Sequence, residues 1–142
     1  MFDFVIAGDD EPEAVAERPA AQAIAGEPDV RRKLAMYAAG MATRQVRSAK
    51  VQIAIRDARH SDDRIGATWR TLLDERLTGM TMLARHLHEG GQLRAGIDID
   101  EVRDVLWTYI AVELYELLVL ERGWSVQRYG EWIGDALVAA LT

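Results

Sequence analysis

The sequence predicts an all-α fold, and three observations carry that prediction. Apolar residues recur at three- and four-residue intervals over long stretches, no segment alternates apolar and polar residues at the strand period, and every break between periodic stretches coincides with a helix-capping or helix-ending residue. The 142 residues, 49% hydrophobic and 28% charged, suit one globular domain built on one core. Four long helices preceded by a short N-terminal helical lead-in are expected.

Residues 1–28 read as that lead-in: acidic, and punctuated by Pro12, Pro19, Pro28, Gly8 and Gly26. Phe2, Phe4, Val5 and Ile6 read as the frayed end of a helix that begins upstream of Met1. Residues 29–142 read as the helical domain. Asp29 caps its first helix, whose inward line Leu34, Ala38, Met41 continues through Gln45, Ser48 and Gln52 to near Arg59. Ser61 caps the second, with Asp62 and Asp63 in a first turn where the helix dipole favours negative charge. Its line Ile65, Trp69, Leu72, Leu73, Met80, Leu83, Leu87 stops at Gly90 and Gly91. The third helix starts after Asp98, with Glu101 three residues on to close a capping box and Ile97 placed to staple onto Val102. It is expected to run unbroken to about Arg122, where Gly123 ends it. Ser125 caps the last helix, which carries Tyr129, Trp132, Ile133, Ala136, Leu137 and Leu141.

Composition excludes several function classes. Without cysteine there are no disulfides, no thiol catalysis and no cysteine-based zinc site. A net charge of −6 argues against direct nucleic-acid binding, which needs clustered Lys and Arg. The charge is segregated: residues 1–30 are acidic apart from Arg18, whereas residues 31–60 hold Arg31, Arg32, Lys33, Arg44, Arg47, Lys50, Arg56 and Arg59 against Asp57 alone. Arg32, Arg44, Arg47 and Arg56 do not share one side of a helix, so this run reads as a solvated face offset by the acidic segment, with electrostatic support for DNA docked elsewhere or an anionic ligand as the alternatives. The N-terminus is not a signal peptide, and the longest apolar stretch, Val105 to Leu120, is interrupted by Glu113 and Glu116, so a cytoplasmic chain without a membrane association is expected. Of the serines, Ser61 and Ser125 read as caps, and Ser48 has no nucleophile setting, so no enzyme is expected. His86 and His88 point to different sides of their helix, and Asp57 with His60 lacks further ligands; neither a metal nor a cofactor is expected.

The third helix is unusual in being apolar on two sides. Val102, Leu106, Tyr109, Ile110 and Leu117 form one, while Trp107, Ala111, Leu114 and Leu118 form nearly the opposite one. The second side predicts a homodimer interface made by the last two helices, with Trp132, Ile133 and Leu137 contributed by the final one. Burial of the whole helix within one subunit is the alternative.

A run of short motifs then carries a family resemblance: Gly91-Gln92-Leu93-Arg94-Ala95-Gly96-Ile97-Asp98, Asp100-Glu101, Val105-Leu106-Trp107, Glu113-Leu114-Tyr115, Glu121-Arg122-Gly123-Trp124-Ser125, Tyr129 and Trp132. In order and spacing they resemble the C-terminal effector-binding and dimerisation domain of the TetR (tetracycline-repressor-like) family of bacterial transcriptional regulators. Glu75-Arg76-Leu77-Thr78-Gly79-Met80 and Ala7-Gly8-Asp9-Asp10-Glu11-Pro12 are similar to one branch of it. The resemblance implies a homodimer, a ligand cavity inside the helical body, and DNA binding by an N-terminal helix-turn-helix that this chain does not supply. A purely structural dimerisation module with a filled core is the competing reading.

Polar residues on inward lines mark the ligand-site candidates. Arg76 sits amid Trp69, Leu72, Leu73, Met80 and Leu83, and Glu113 amid Leu106, Tyr109 and Leu117, so an ion pair between the two is expected. The alternative is that Arg76 reaches solvent and Glu113 lies at a helix boundary. Gln45, Ser48 and Gln52 are either ligand-orienting groups or the place where a helix leaves the core. With Met41, Trp69, Leu73, Met80 and Tyr109 these residues make the expected pocket for a small apolar or aromatic effector.

Overall fold

The structure, a computed structural model, describes the backbone of residues 11–142 and the side chains of residues 19–142. The helix expected around Phe2, Phe4, Val5 and Ile6 lies outside the described residues. Helices follow in the order α1 (Glu11–Gly26), α2 (Val30–Ala58), α3 (Asp63–Glu89), α4 (Ile99–Tyr109), α5 (Val112–Tyr115), which continues into a π-helical turn (Glu116–Glu121), and α6 (Val126–Leu141). No strand occurs among the described residues, as an all-α fold requires.

The long helix α2 is the spine. Asp29 accepts from the Arg31 amide at 3.1 Å to cap it, and Gln92 of the α3–α4 loop accepts from the Val30 amide at 2.9 Å while donating to the Pro28 carbonyl at 2.6 Å. Against α2 lies α6, at a separation set by small residues. A Cβ on Gly130 would meet the Ala42 methyl at 3.1 Å, and one on Gly134 would meet Ala35 and Ala38 at 3.4 Å. This close approach buries Tyr129, Ile133, Leu137 and Leu141 completely against Leu34, Ala38, Met41 and Ala42. Ile133 and Leu137 therefore belong to the core of one subunit and do not form a dimer interface; Trp132, on the other side of α6, remains 41% exposed.

Two helix starts differ from expectation by small shifts in capping. Asp62, one residue after Ser61, caps α3 by accepting from the Arg64 amide at 2.7 Å; the Ser61 hydroxyl donates back to the Ala58 carbonyl instead. A carboxylate is the stronger acceptor at a helix N-terminus, which explains the order. Asp98 caps α4, but Glu101 does not complete the box: its carboxylate takes Arg94 at 2.5 Å. Ile97 and Val102 are both buried in the core as a staple requires, and Ser125 caps α6 through the Arg128 amide.

The main correction concerns the expected single helix from Asp98 to Arg122. The chain breaks at Ile110 and Ala111, where Ala111 adopts φ −59°, ψ 138°. One extended residue changes the phase of all that follows. The inward line Val102, Leu106, Ile110 continues with Val112 and Tyr115 rather than with positions 113 and 117. Glu113 is thereby turned out to a half-exposed position, and Leu117, expected inward, is 56% exposed. The π-helical turn closes with an Arg122 amide to Leu117 carbonyl bond, and Gly123 at φ 74° ends it.

Candidate functional site

The side chains with unusual chemistry converge where α2, α3 and the α4–α5 break meet. Gln45 and Gln52 are 2% and 1% exposed and Arg76 is 5% exposed, so this is no helix end leaving the core and no arginine reaching solvent. They form a directed chain. Arg76 donates through Nη2 to Gln52 Oε1; Gln52 Nε2 donates to Gln45 Oε1 at 3.1 Å and to Ser48 Oγ at 2.8 Å; Gln45 Nε2 donates to the Ile110 carbonyl at 3.1 Å. That carbonyl is an acceptor released by the break between α4 and α5, so the chain satisfies a backbone group the interrupted helix leaves open. Burial is the main influence on Arg76 and lowers its proton affinity, while the field of Glu113 works the other way. An arginine remains charged under these conditions.

The expected Arg76–Glu113 ion pair is not formed. Glu113 pairs with Arg56 at 3.1 Å, and Arg56 also takes Glu116 in a two-pronged contact at 2.9 and 3.2 Å, together with Asp57 at 3.0 Å. Glu116 is the main reason that the Arg56 guanidinium holds its proton more tightly than usual. The phase change at Ala111 explains the exchange of partners, because Val112 occupies the inward position that Glu113 would have held. Among the described residues no carboxylate lies within ion-pair distance of Arg76.

Beside this chain a cleft of about 290 Å³ opens between α3 and the α4–α5 break, walled by Trp69, Leu73, Arg76, Trp107, Thr108, Ala111 and Glu113. Trp69, Leu73, Arg76 and Glu113 of the expected pocket are thus brought together. Gln45 and Ser48 stand behind Arg76 in the hydrogen-bonded chain rather than on the wall. Met41 and Met80 are plain core, accepting from the Tyr129 and Tyr37 hydroxyls at 3.5 Å. Burial raises both phenols well above the usual tyrosine range, so both donate as neutral groups. Tyr109 packs edge-on against Trp132, with ring centres 6.2 Å apart.

Of the residues expected at the dimer interface, Trp107 and Ala111 face the cleft, and Leu114 and Leu118 are half-buried against the core of their own chain. Among the described residues the large apolar side chains left exposed are Val46 and Val51 on α2, Leu117 and Leu120 on the π-helical turn, and Trp132 on α6. Arg56 and Thr108 are site residues absent from the expected set. Gln52 lay on the polar line of α2 and was legible there; Arg56 and Thr108 have no distinguishing sequence signal.

No group of three or more potential metal ligands occurs among the described residues. No helix there is long and apolar enough to cross a membrane. Comparison of the chain with protein families, curated proteins and solved structures finds no match.

Proposed function

We propose that this chain is the effector-binding and dimerisation domain of a TetR-like transcriptional regulator, with its effector seated in the α3–α4 cleft. The observation that carries the proposal is Arg76, a buried cation with no carboxylate partner among the described residues, on the wall of a cleft otherwise lined mainly by Trp69, Leu73, Trp107 and Ala111. Mostly apolar walls with one or two fixed polar groups are the usual make-up of a small-molecule site. A cleft of about 290 Å³ also weighs against the competing module with a filled core.

The hydrogen-bonded chain supplies a route from ligand to surface. A ligand that draws on Arg76 changes its hold on Gln52, and through Gln45 the pull on the Ile110 carbonyl. Beyond that carbonyl, α5 and the π-helical turn carry Leu117 and Leu120, which with Trp132 form the surface offered to a second copy. The ligand acts by favouring one arrangement of the α4–α5 junction over another. DNA is contacted by a separate domain of the regulator, consistent with the net charge of −6 here.

A thermal-shift screen of the whole chain against small apolar and aromatic molecules tests the reading. Ligand at about 100 times its Kd adds about 2.7 kcal/mol of stability and raises Tm by several degrees. A broad panel without any stabilising member would count against it.

A further inference from the structure

We infer that the ligand of the α3–α4 cleft is a small monocarboxylic acid, its carboxylate accepting from Arg76 and its aromatic or aliphatic body lying between Trp69, Leu73 and Trp107. The inference rests on the proposal that this cleft is a ligand site and names the chemical class the site selects.

Three features point to that class. The first is the unspent donor capacity of Arg76. A guanidinium carries five N–H donors, and the contact to Gln52 uses one; no other acceptor among the described residues takes the rest. The contrast with Arg56 is direct, since that side chain is surrounded by the carboxylates of Asp57, Glu113 and Glu116. A buried guanidinium without an anion is unfavourable, and a ligand carboxylate supplies the missing charge with matching two-pronged geometry.

The second feature sets the ligand's charge at one. Glu113 is on the cleft wall as well, with its own charge already engaged by Arg56 at 3.1 Å. A single carboxylate can settle on Arg76, whereas a second negative group on the same ligand would face Glu113 in a space this small. Phosphate esters and dicarboxylates are disfavoured for that reason. The third feature is size and lining: about 290 Å³ is at the low end for small-molecule sites, and indole faces with a leucine suit a single ring or a short alkyl chain.

Isothermal titration of the full chain with matched acid and amide pairs tests the inference: phenylacetate against phenylacetamide, and octanoate against octanamide. The acids are expected to bind at least about tenfold more tightly than their amides, the usual gain from a charge-assisted hydrogen bond over a neutral one. Arg76→Gln should abolish that preference, and Glu113→Gln should widen it several-fold by removing the like charge. Equal binding of acids and amides would overturn the monoanion inference while leaving the cleft as a ligand site. An acid preference that survives in Arg76→Gln would overturn it too, by placing the selection elsewhere. Binding of neither acids nor amides would remove the ligand-site reading and the inference together. If circular dichroism shows Arg76→Gln unfolded, the wild-type ratio and Glu113→Gln decide.

Discussion

Arg76 is the residue at which stability and binding make opposite demands. Arg76→Met removes a buried cation that has no carboxylate partner among the described residues but leaves Gln52 Oε1 without its donor, and the two effects offset, so stability should stay within about 1 kcal/mol of wild type. Gln52→Leu, which removes the acceptor while keeping the charge, should cost about 1–3 kcal/mol. Urea denaturation distinguishes the two, and a strongly destabilised Arg76→Met would mark Arg76 as a structural group. The arginine itself was legible in the sequence, as a charge on the line of Trp69, Leu72, Leu73 and Met80; its partner was not, because partner choice depended on the backbone phase of another helix. Two glycines give a similar contrast. A Cβ at Gly66 would lie 2.8 Å from the Arg59 carbonyl oxygen across the tight α2–α3 turn, so Gly66→Ala should destabilise by about 1–3 kcal/mol. Gly40, inside α2, would meet only the guanidinium end of Arg44 at 3.4 Å, and Gly40→Ala should stabilise by up to about 1 kcal/mol.

Among the elements, the interrupted pair α4 and α5 departs furthest from what periodicity showed. Neither proline nor glycine stands at Ile110 or Ala111, and the run Thr108, Ile110, Val112 is only mildly unfavourable to helix through its β-branching. The interruption is held by tertiary contacts: Gln45 takes the freed carbonyl, and Arg56 ties Glu113 and Glu116 to α2. Gln45→Leu should therefore leave that carbonyl without its side-chain donor, cost about 1–3 kcal/mol, and speed amide exchange over residues 110–116 more than over α6. Helix ends with a capping residue in sequence were legible to within a residue; a boundary made by a distant glutamine was not. At the other end of the molecule α1 docks through Lys33, whose ammonium donates to the Ile24 and Ala25 carbonyls at 2.9 and 3.0 Å and contacts His86 Nε2 at 2.8 Å. Burial, then the charge of Lys33, lowers the His86 pKa from its ordinary 6.5, with Glu89 acting in the opposite sense. Glu27 opposes the similar lowering at Lys33. A depressed histidine pKa means the unfolded chain binds the proton more readily, so this contribution is full above pH 6.5 and is lost as pH falls toward the depressed value. Acidification from pH 7.5 to about 5.5 should loosen the last turn of α1, and His86→Leu should blunt the response, as read by amide exchange at residues 22–28.

For the molecule as a whole, the all-α fold class was legible because periodicity and capping agree along most of the described chain. Periodicity identified a helix apolar on two sides, but the phase change turned Trp107 and Ala111 into the cleft and left Leu117 and Leu120 exposed, as Trp132 is on α6. If those exposed side chains form the dimer surface, Leu117→Asp should convert dimer to monomer in sedimentation velocity with little change in helicity, since Leu117 contributes little to its own core. In the proposed effector response the cleft communicates with the surface proposed for a second copy through Arg76, Gln52, Gln45 and the Ile110 carbonyl. Its most direct test is amide hydrogen exchange across residues 108–121 with and without saturating phenylacetate, in wild type and in Gln45→Leu. The ligand is expected to change protection throughout 108–121 in wild type, and Gln45→Leu to confine the change to the cleft wall at residues 107–111. A response limited to the cleft wall in wild type, or an identical response in both proteins, would contradict it.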